Sequence, residues 1–147
     1  MKYLTLDLYE RIVEAVHEKS RNHLRMLGHV TKNECDNYLG FYALHGGLFW
    51  SEQDGIVRGV ATAHPGKRFF DWKWQEDGSV WTTHLVWGDN VLAQQETLGQ
   101  FLSQRTTPVT ELWTCRKNKL ILLSIPKLER IFKYGRRKHH NTSTTST

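Results

Sequence analysis

The chain is poor in the residues that staple, punctuate or span. Among its 147 residues there are two cysteines, Cys35 and Cys115, and three prolines. Two cysteines far apart, neither in a C-x-x-C pair, make no disulfide framework and no zinc ribbon, so no structural metal is expected. There is no H-E-x-x-H, no G-x-x-x-x-G-K-[ST] and no G-x-G-x-x-G. Zincin, P-loop and dinucleotide-binding readings therefore lack their ligands or phosphate cradles. Long apolar runs are missing too. The most apolar stretch, Leu120 to Leu123, falls far short of the roughly 20 residues that a spanning helix needs. Asp7, Glu10 and Glu14 stand where the apolar centre of a secretory signal would lie. The expectation is a cytoplasmic protein with reduced thiols and no membrane span.

What is abundant is aromatic. Six Trp, five Tyr and six Phe, with 39% apolar and 24% charged residues overall, exclude wholesale disorder and furnish one sizeable core. The net charge of +5 is unevenly spread: residues 1–110 sum to −2 and residues 111–147 to +7. Such asymmetry marks either a solubilising basic end or a surface for nucleic acid or an acidic protein. The candidates for that surface are Arg116, Lys117, Lys119, Lys127, Arg130 and Lys133. The last seven residues are Asn, Ser and Thr alone, with nothing to bury. Residues 1–134 are read as one domain and 135–147 as a basic, then Ser/Thr-rich, disordered tail.

Hydrophobic periodicity predicts a helix over 8–27, capped by Asp7 and stopped at Gly28, after a short edge strand at Lys2–Leu6. Thr31 with Glu34 has capping-box spacing and predicts a second helix, 32–44, that buries Cys35, Tyr38, Leu39 and Tyr42. The period then changes to that of strands. Leu48–Ser51, Ile56–Ala63, Phe69–Gln75 and Ser79–Trp87 read as a four-strand antiparallel meander, turning at Asp54-Gly55, Pro65-Gly66 and Asp77-Gly78. Asp89 or Asn90 caps a helix over 91–104 with Val91, Leu92, Leu98, Phe101 and Leu102 inward. A hairpin, 110–115 with 119–123, and a last helix from Ser124 to about Tyr134 complete an α+β domain of six to seven strands.

This order of elements resembles that of the GCN5-related N-acetyltransferase (GNAT) superfamily, over residues 2–124. The resemblance implies a largely antiparallel, mixed sheet flanked by helices, and acyl transfer from a thioester to an amine. In that family the loop after the fourth strand reads Q/R-x-x-G-x-G/A and holds the pyrophosphate of CoA on backbone amides. The matching segment here is Trp87-Gly88-Asp89-Asn90-Val91-Leu92-Ala93, which makes Trp87, Gly88, Asn90 and Val91 the implied donor contacts. It lacks the second glycine and the leading Gln or Arg, and Asp89 sets a carboxylate where a pyrophosphate would sit. Besides acetyl-CoA, two other readings stay open. One is an acyl carrier protein as donor, as in the toxin-activating lysine acyltransferases, which this chain loosely resembles in its aromatic strand and Gly-Asp-Asn turn. The other is a GNAT-like scaffold without catalysis, of the kind found among phage and mobile-element proteins.

The residues themselves offer few bases. An amine must lose a proton to attack a thioester, and histidine titrates in the right range. His84 lies in the strand that enters the Gly88 turn, with Thr82 and Val86 expected on its own face and Thr83 and Leu85 on the other. Asp71, on the preceding strand, is placed to orient it. A hydrogen-bonded structural histidine and an exposed carboxylate are the plain alternatives. His23 and His29 follow the first helix, and Cys115 precedes a basic turn; each also reads as ordinary packing. Trp81 and Trp87 are expected on one sheet face and Trp72 and Trp74 on one face, where they would form core, line an acyl pocket or stack bases.

Overall fold

The computed structural model describes residues 4–20, 31–66, 78–116 and 119–133. Helix α1 spans Leu6–Lys19. Its cap is Thr5 rather than Asp7: the Thr5 hydroxyl accepts from the Leu8 amide at 3.1 Å, while Asp7 sits in the first turn and takes the Arg11 guanidinium at 3.2 Å. Because the cap starts here, Leu6 is already helical, and Leu4–Leu6 is not a strand. Ser20 closes the helix. The expected continuation to 27, with His23 and His29, lies outside the described residues, as does the tail beyond 133.

Helix α2, Lys32–Leu44, has both halves of its capping box and buries Cys35, Tyr38, Leu39 and Tyr42 at the predicted spacing. Tyr9 ties the two helices by donating to the Asp36 carboxylate at 2.6 Å. The chain then forms β1 (Leu48–Gln53), β2 (Ile56–Pro65) and β3 (Val80–Gly88). Asp54 and Gly55 both take positive φ, 55° and 78°, the backbone of a type I′ hairpin turn. Helix α3 (Val91–Ser103), strands β4 (Glu111–Arg116) and β5 (Lys119–Leu122), and helix α4 (125–133) follow. The domain is thus α+β, with four helices and one five-stranded mixed sheet among the described residues.

The sheet order is β1-β2-β3-β4-β5. All neighbours are antiparallel except β3 and β4, which run parallel and are joined by α3 across one sheet face. Two expectations change. The Phe69–Gln75 segment lies outside the described residues, and β2 pairs directly with β3, so among the described residues the meander has three strands, with none between β2 and β3 in the sheet. Five strands, not six or seven, are present among the described residues.

Helices pack on both faces. On one side α1 and α2 cover Leu48, Trp50, Val57, Val60, Leu85 and Trp87. On the other, α3 and α4 cover Phe49, Ala61, Ala63, Trp81 and Leu112 with Leu98, Phe101 and Leu128. Of the residues of α3 expected inward, Leu98 and Phe101 are buried and Leu102 packs against them. Val91 and Leu92, by contrast, are 65% and 45% exposed, because in the first turn it is Ala93 that faces the sheet. Small residues carry the contact instead. Ala93 and Thr97 press against Gly59 of β2, where a Cβ would strike Thr97 Oγ1 and lie 3.0 Å from the Ala93 carbonyl oxygen and Ser51 Oγ.

A bulge in β3 decides which side chains face which helices. Ala61 pairs with Val86 and Ala63 with Thr83, so His84 and Leu85 together oppose the single residue Thr62. One extra residue reverses the alternation beyond it. Leu85 therefore shares a face with His84, and Val86 joins the opposite core. Trp81 and Trp87 fall on opposite faces for the same reason. The strict period of two that placed Val86 with His84, and Trp81 with Trp87, fails at this one inserted residue.

The Gly59 contact is testable. Gly59→Ala forces α3 away from the sheet and is expected to destabilise the fold by about 1–3 kcal/mol, read as a fall in thermal midpoint of several degrees. A midpoint equal to the parent's would show that α3 does not approach the strand this closely.

Candidate functional site

The chemistry-bearing residues gather under α2, on the sheet face it shares with α1. Tyr38 and Tyr42, one turn apart, send both hydroxyls down onto β2 and β3. There they meet Thr62 and His64, which alternate on β2 with Val60, and His84 at the β3 bulge. The Tyr38 oxygen lies 2.7 Å from His84 Nδ1 and 3.0 Å from Thr62 Oγ1. Thr62 Oγ1 in turn accepts from the Leu85 amide at 2.9 Å. The Tyr42 oxygen lies 3.2 Å from His64 Nδ1 and 3.5 Å from His84 Nδ1. His64 is 3% exposed, and His84 is half-buried.

Burial holds both phenols in their neutral, donating form. Tyr38 titrates well above its ordinary value, first from loss of water and then from the neighbouring Tyr42; Tyr42 is raised by burial as well. Two hydrogen-bond polarities satisfy the chain through His84. In one, Thr62 donates to Tyr38 and Tyr38 donates to Nδ1, which leaves the His84 proton on Nε2. In the other, Nδ1–H donates to the Tyr38 oxygen, Tyr38 donates to Thr62, and Nε2 carries a lone pair. The second polarity is the one a general base needs.

His84 also stands where the sheet opens. Strands β3 and β4 pair from Val80 with Glu111 to Thr83 with Thr114 and no further. Beyond that point β3 runs on to Gly88, while β4 turns through Arg116 to pair with Lys119 of β5. The imidazole is thus the first side chain past the parting of two parallel strands. Crevices of this kind, at the carboxyl ends of parallel strands, are where α/β sheets commonly take ligands.

The other expected donor contacts are occupied by packing. Trp87 is buried against α1, with the Lys19 ammonium 5.8 Å from its ring. Gly88 admits no Cβ, which would sit 2.7 Å from the Gln94 amide nitrogen; it lets α3 start directly off the strand. Asn90, not Asp89, is the cap, and its Oδ1 takes the Ala93 amide at 2.8 Å. The Asp89 carboxylate turns away from the helix axis to Arg58 of β2 at 2.8 Å, and the Asp89 amide donates to the Arg58 carbonyl. Val91 is exposed. Asp71, expected to orient His84, lies outside the described residues, as do Lys117 and the side chains of Arg116 and Cys115. Lys119, Lys127, Arg130 and Lys133 are all exposed. A separate groove of about 760 Å³ between the start of α1 and the end of α2 is lined by Leu4, Leu6, Tyr9, Phe41 and Leu44, and none of the imidazoles borders it.

No family model, curated protein or solved structure matches the chain. Among the described residues no group of three or more His, Cys, Asp and Glu is arranged to hold a metal, and no helix is long and apolar enough to cross a membrane. Sequence reasoning passed over Tyr38, Tyr42, Thr62 and His64 as members of the site. The signals were a Tyr pair at i and i+4, and a Thr and a His on alternate positions of an otherwise apolar strand.

Cys35, beside this cluster, offers a readout of its burial. Loss of water, with the Asp36 carboxylate adding to it, pushes the thiol from 9.0 up to about 11. A raised value favours the neutral thiol in the fold. That contribution to stability is complete below about pH 9 and is lost as the pH climbs through about 11. The thermal midpoint should fall across this window, and fall less steeply in Cys35→Ala. Equal slopes for the two proteins would contradict a thiol held in that environment.

Proposed function

We propose that the protein is an N-acyltransferase of GNAT-like topology, which moves an acyl group from a thioester to an amine. The observation that carries this reading is the position of His84, at the bulge where β3 leaves β4, with Nδ1 held by a buried tyrosine. In this reading Nε2 of His84 takes the proton of the acceptor amine. The freed nitrogen attacks the thioester carbonyl carbon, the C–S bond breaks, and the departing sulfur takes the proton back from Nε2 as the free thiol, which returns His84 to its basic form. Tyr38 takes the orienting role that the sequence suggested for Asp71: in the polarity in which it accepts from Nδ1–H and donates to Thr62, His84 is the basic tautomer.

The donor end supports a carrier-protein thioester over free acetyl-CoA. Asn90 already uses one of the amides that would bind a pyrophosphate, and Asp89 adds negative charge to the turn. The exposed Lys127, Arg130 and Lys133 on α4, with Lys119 on β5, give a surface suited to an acidic carrier. The same residues favour a second reading, a non-catalytic basic protein that binds nucleic acid or an acidic partner.

Two measurements test these readings. With acetyl-CoA or an acylated carrier protein as donor and a panel of primary amines, product mass should report transfer, and His84→Ala should lower the rate by about 100-fold or more with little change in thermal midpoint. Transfer that persists within about twofold removes His84 from the role. The triple change Lys127→Gln, Arg130→Gln, Lys133→Gln should slow transfer from the carrier protein at low salt and leave transfer from acetyl-CoA unchanged. Nucleic-acid binding that falls with these changes and with salt, in a protein showing no transfer from either donor, would establish the second reading instead.

A further inference from the structure

Away from the imidazoles, the outer side of α1 and α2 forms an open trough. Two hollows, of about 760 and 570 Å³, share Leu6, Tyr9 and Asp36 and so run together along the seam between the helices. From Lys32 at one end to Leu44 at the other, the trough follows the whole of α2, about 18 Å of helix. Gly40 lowers its floor, since a Cβ there would lie 3.1 Å from the Tyr9 hydroxyl. One end is apolar, with Leu6 and Leu44 74% and 87% exposed. Glu10, Glu14 and Asp36 border the trough, against one cation, Lys32. Helices α1 and α2 together carry six carboxylates and three Lys or Arg residues, on a chain whose net charge is +5.

A second uncovered surface has the complementary chemistry. Strand β5 is the last of the sheet, so among the described residues its outer edge has no partner strand. Ile121 and Leu122 on it are 41% and 54% exposed. As neighbours in a strand they point to opposite faces, so this edge is apolar on both. Uncovered edges of that kind are templates for association. Lys119 on β5 is exposed, as are Lys127, Arg130 and Lys133 on α4, which follows directly. Glu129 is the one carboxylate between Lys119 and Lys133. A strand of four residues is about 13 Å long, which the trough accommodates.

We propose that copies of this chain associate head to tail, with the apolar, basic end formed by β5 and α4 of one molecule seated in the apolar, acidic trough between α1 and α2 of the next. Both surfaces belong to packed elements of one fold, so the contact joins separate molecules. Apolar burial supplies most of the attraction. Opposite charge decides which surfaces meet, since trough against trough or end against end would bring like charges together. Because the two surfaces differ, the rotation from copy to copy decides whether they close a ring or run on as a row. The association does not depend on the acyl-transfer reading. It uses the basic residues which that reading gives to an acidic carrier, so carrier and neighbouring copy would compete for them.

The test is sedimentation equilibrium on the full chain, which needs neither donor nor acceptor. The average mass of the parent protein should rise above that of one chain as its concentration climbs to millimolar. Its association should weaken about tenfold or more between about 50 and 500 mM salt. Two doubly substituted chains separate the surfaces. Leu6→Lys with Leu44→Lys spoils the trough, and Leu122→Glu with Lys127→Glu spoils the end; all four side chains are exposed. Each variant alone should stay a single chain. An equal mixture should form one-to-one pairs, because one variant keeps an intact end and the other an intact trough. A parent protein that remains a single chain at millimolar concentration overturns the proposal, and so does association that salt strengthens. Either variant associating alone as the parent does, or a mixture that stays as single chains, overturns it too. If a variant fails to fold, the salt series on the parent protein still decides. Acyl transfer by a protein that does not associate removes this proposal and keeps the catalytic reading; association without transfer does the reverse.

Discussion

The hydrogen bond from the Leu85 amide to the Thr62 hydroxyl holds the centre of this molecule together. A bulge leaves a backbone group without its ladder partner, and a buried amide with no acceptor costs about as much as a large fraction of a domain's stability. Thr62 removes that cost, since it is the one residue that β2 offers opposite His84 and Leu85. Its oxygen then also engages Tyr38, and Tyr38 engages His84. A side chain that repairs the sheet is therefore the same one that anchors the polar cluster. Replacing it by valine, equal in size, would keep the packing and lose both roles.

The cluster is polar and buried, yet among its described members it carries no fixed charge. Phenols, a hydroxyl and imidazoles can reverse the direction of a hydrogen-bond chain at little energetic cost, whereas a carboxylate would lock it. The surrounding core is aromatic and close-packed, which limits the positions that the rings can take.

Much of the architecture was legible in the residues. Thr31 and Glu34 spelled out a helix start, Tyr38 and Tyr42 fell on its buried stripe, and Asp54-Gly55 required a tight hairpin. These are local signals, set within a few residues by sterics and hydrogen bonding. What escaped was non-local. No pattern within β3 announces that Thr62, two dozen residues earlier, will face two residues at once, so the faces of Leu85, Val86 and Trp87 came out reversed. Val91 and Leu92 looked inward because they are the larger apolar residues of that turn, whereas the close approach to Gly59 admits only the smaller Ala93. His84 could be picked out for its chemistry alone, but its partners could not, because hydroxyls on a helix and a neighbouring strand become a site only once the three elements are stacked.

The bulge also sets what kinds of sequence change this strand can absorb. Replacing a residue in β3 disturbs one contact. Deleting His84 or Leu85 would restore regular pairing with Thr83 still opposite Ala63 and Val86 still opposite Ala61, so every other residue of the strand would keep its partner and its face. The bulge is therefore the one place where this strand can lose a residue and still present the same side chains to both cores. A strand shortened by that one residue would keep its sheet and its two cores, and lose only the doubled position that sets His84 and Leu85 side by side.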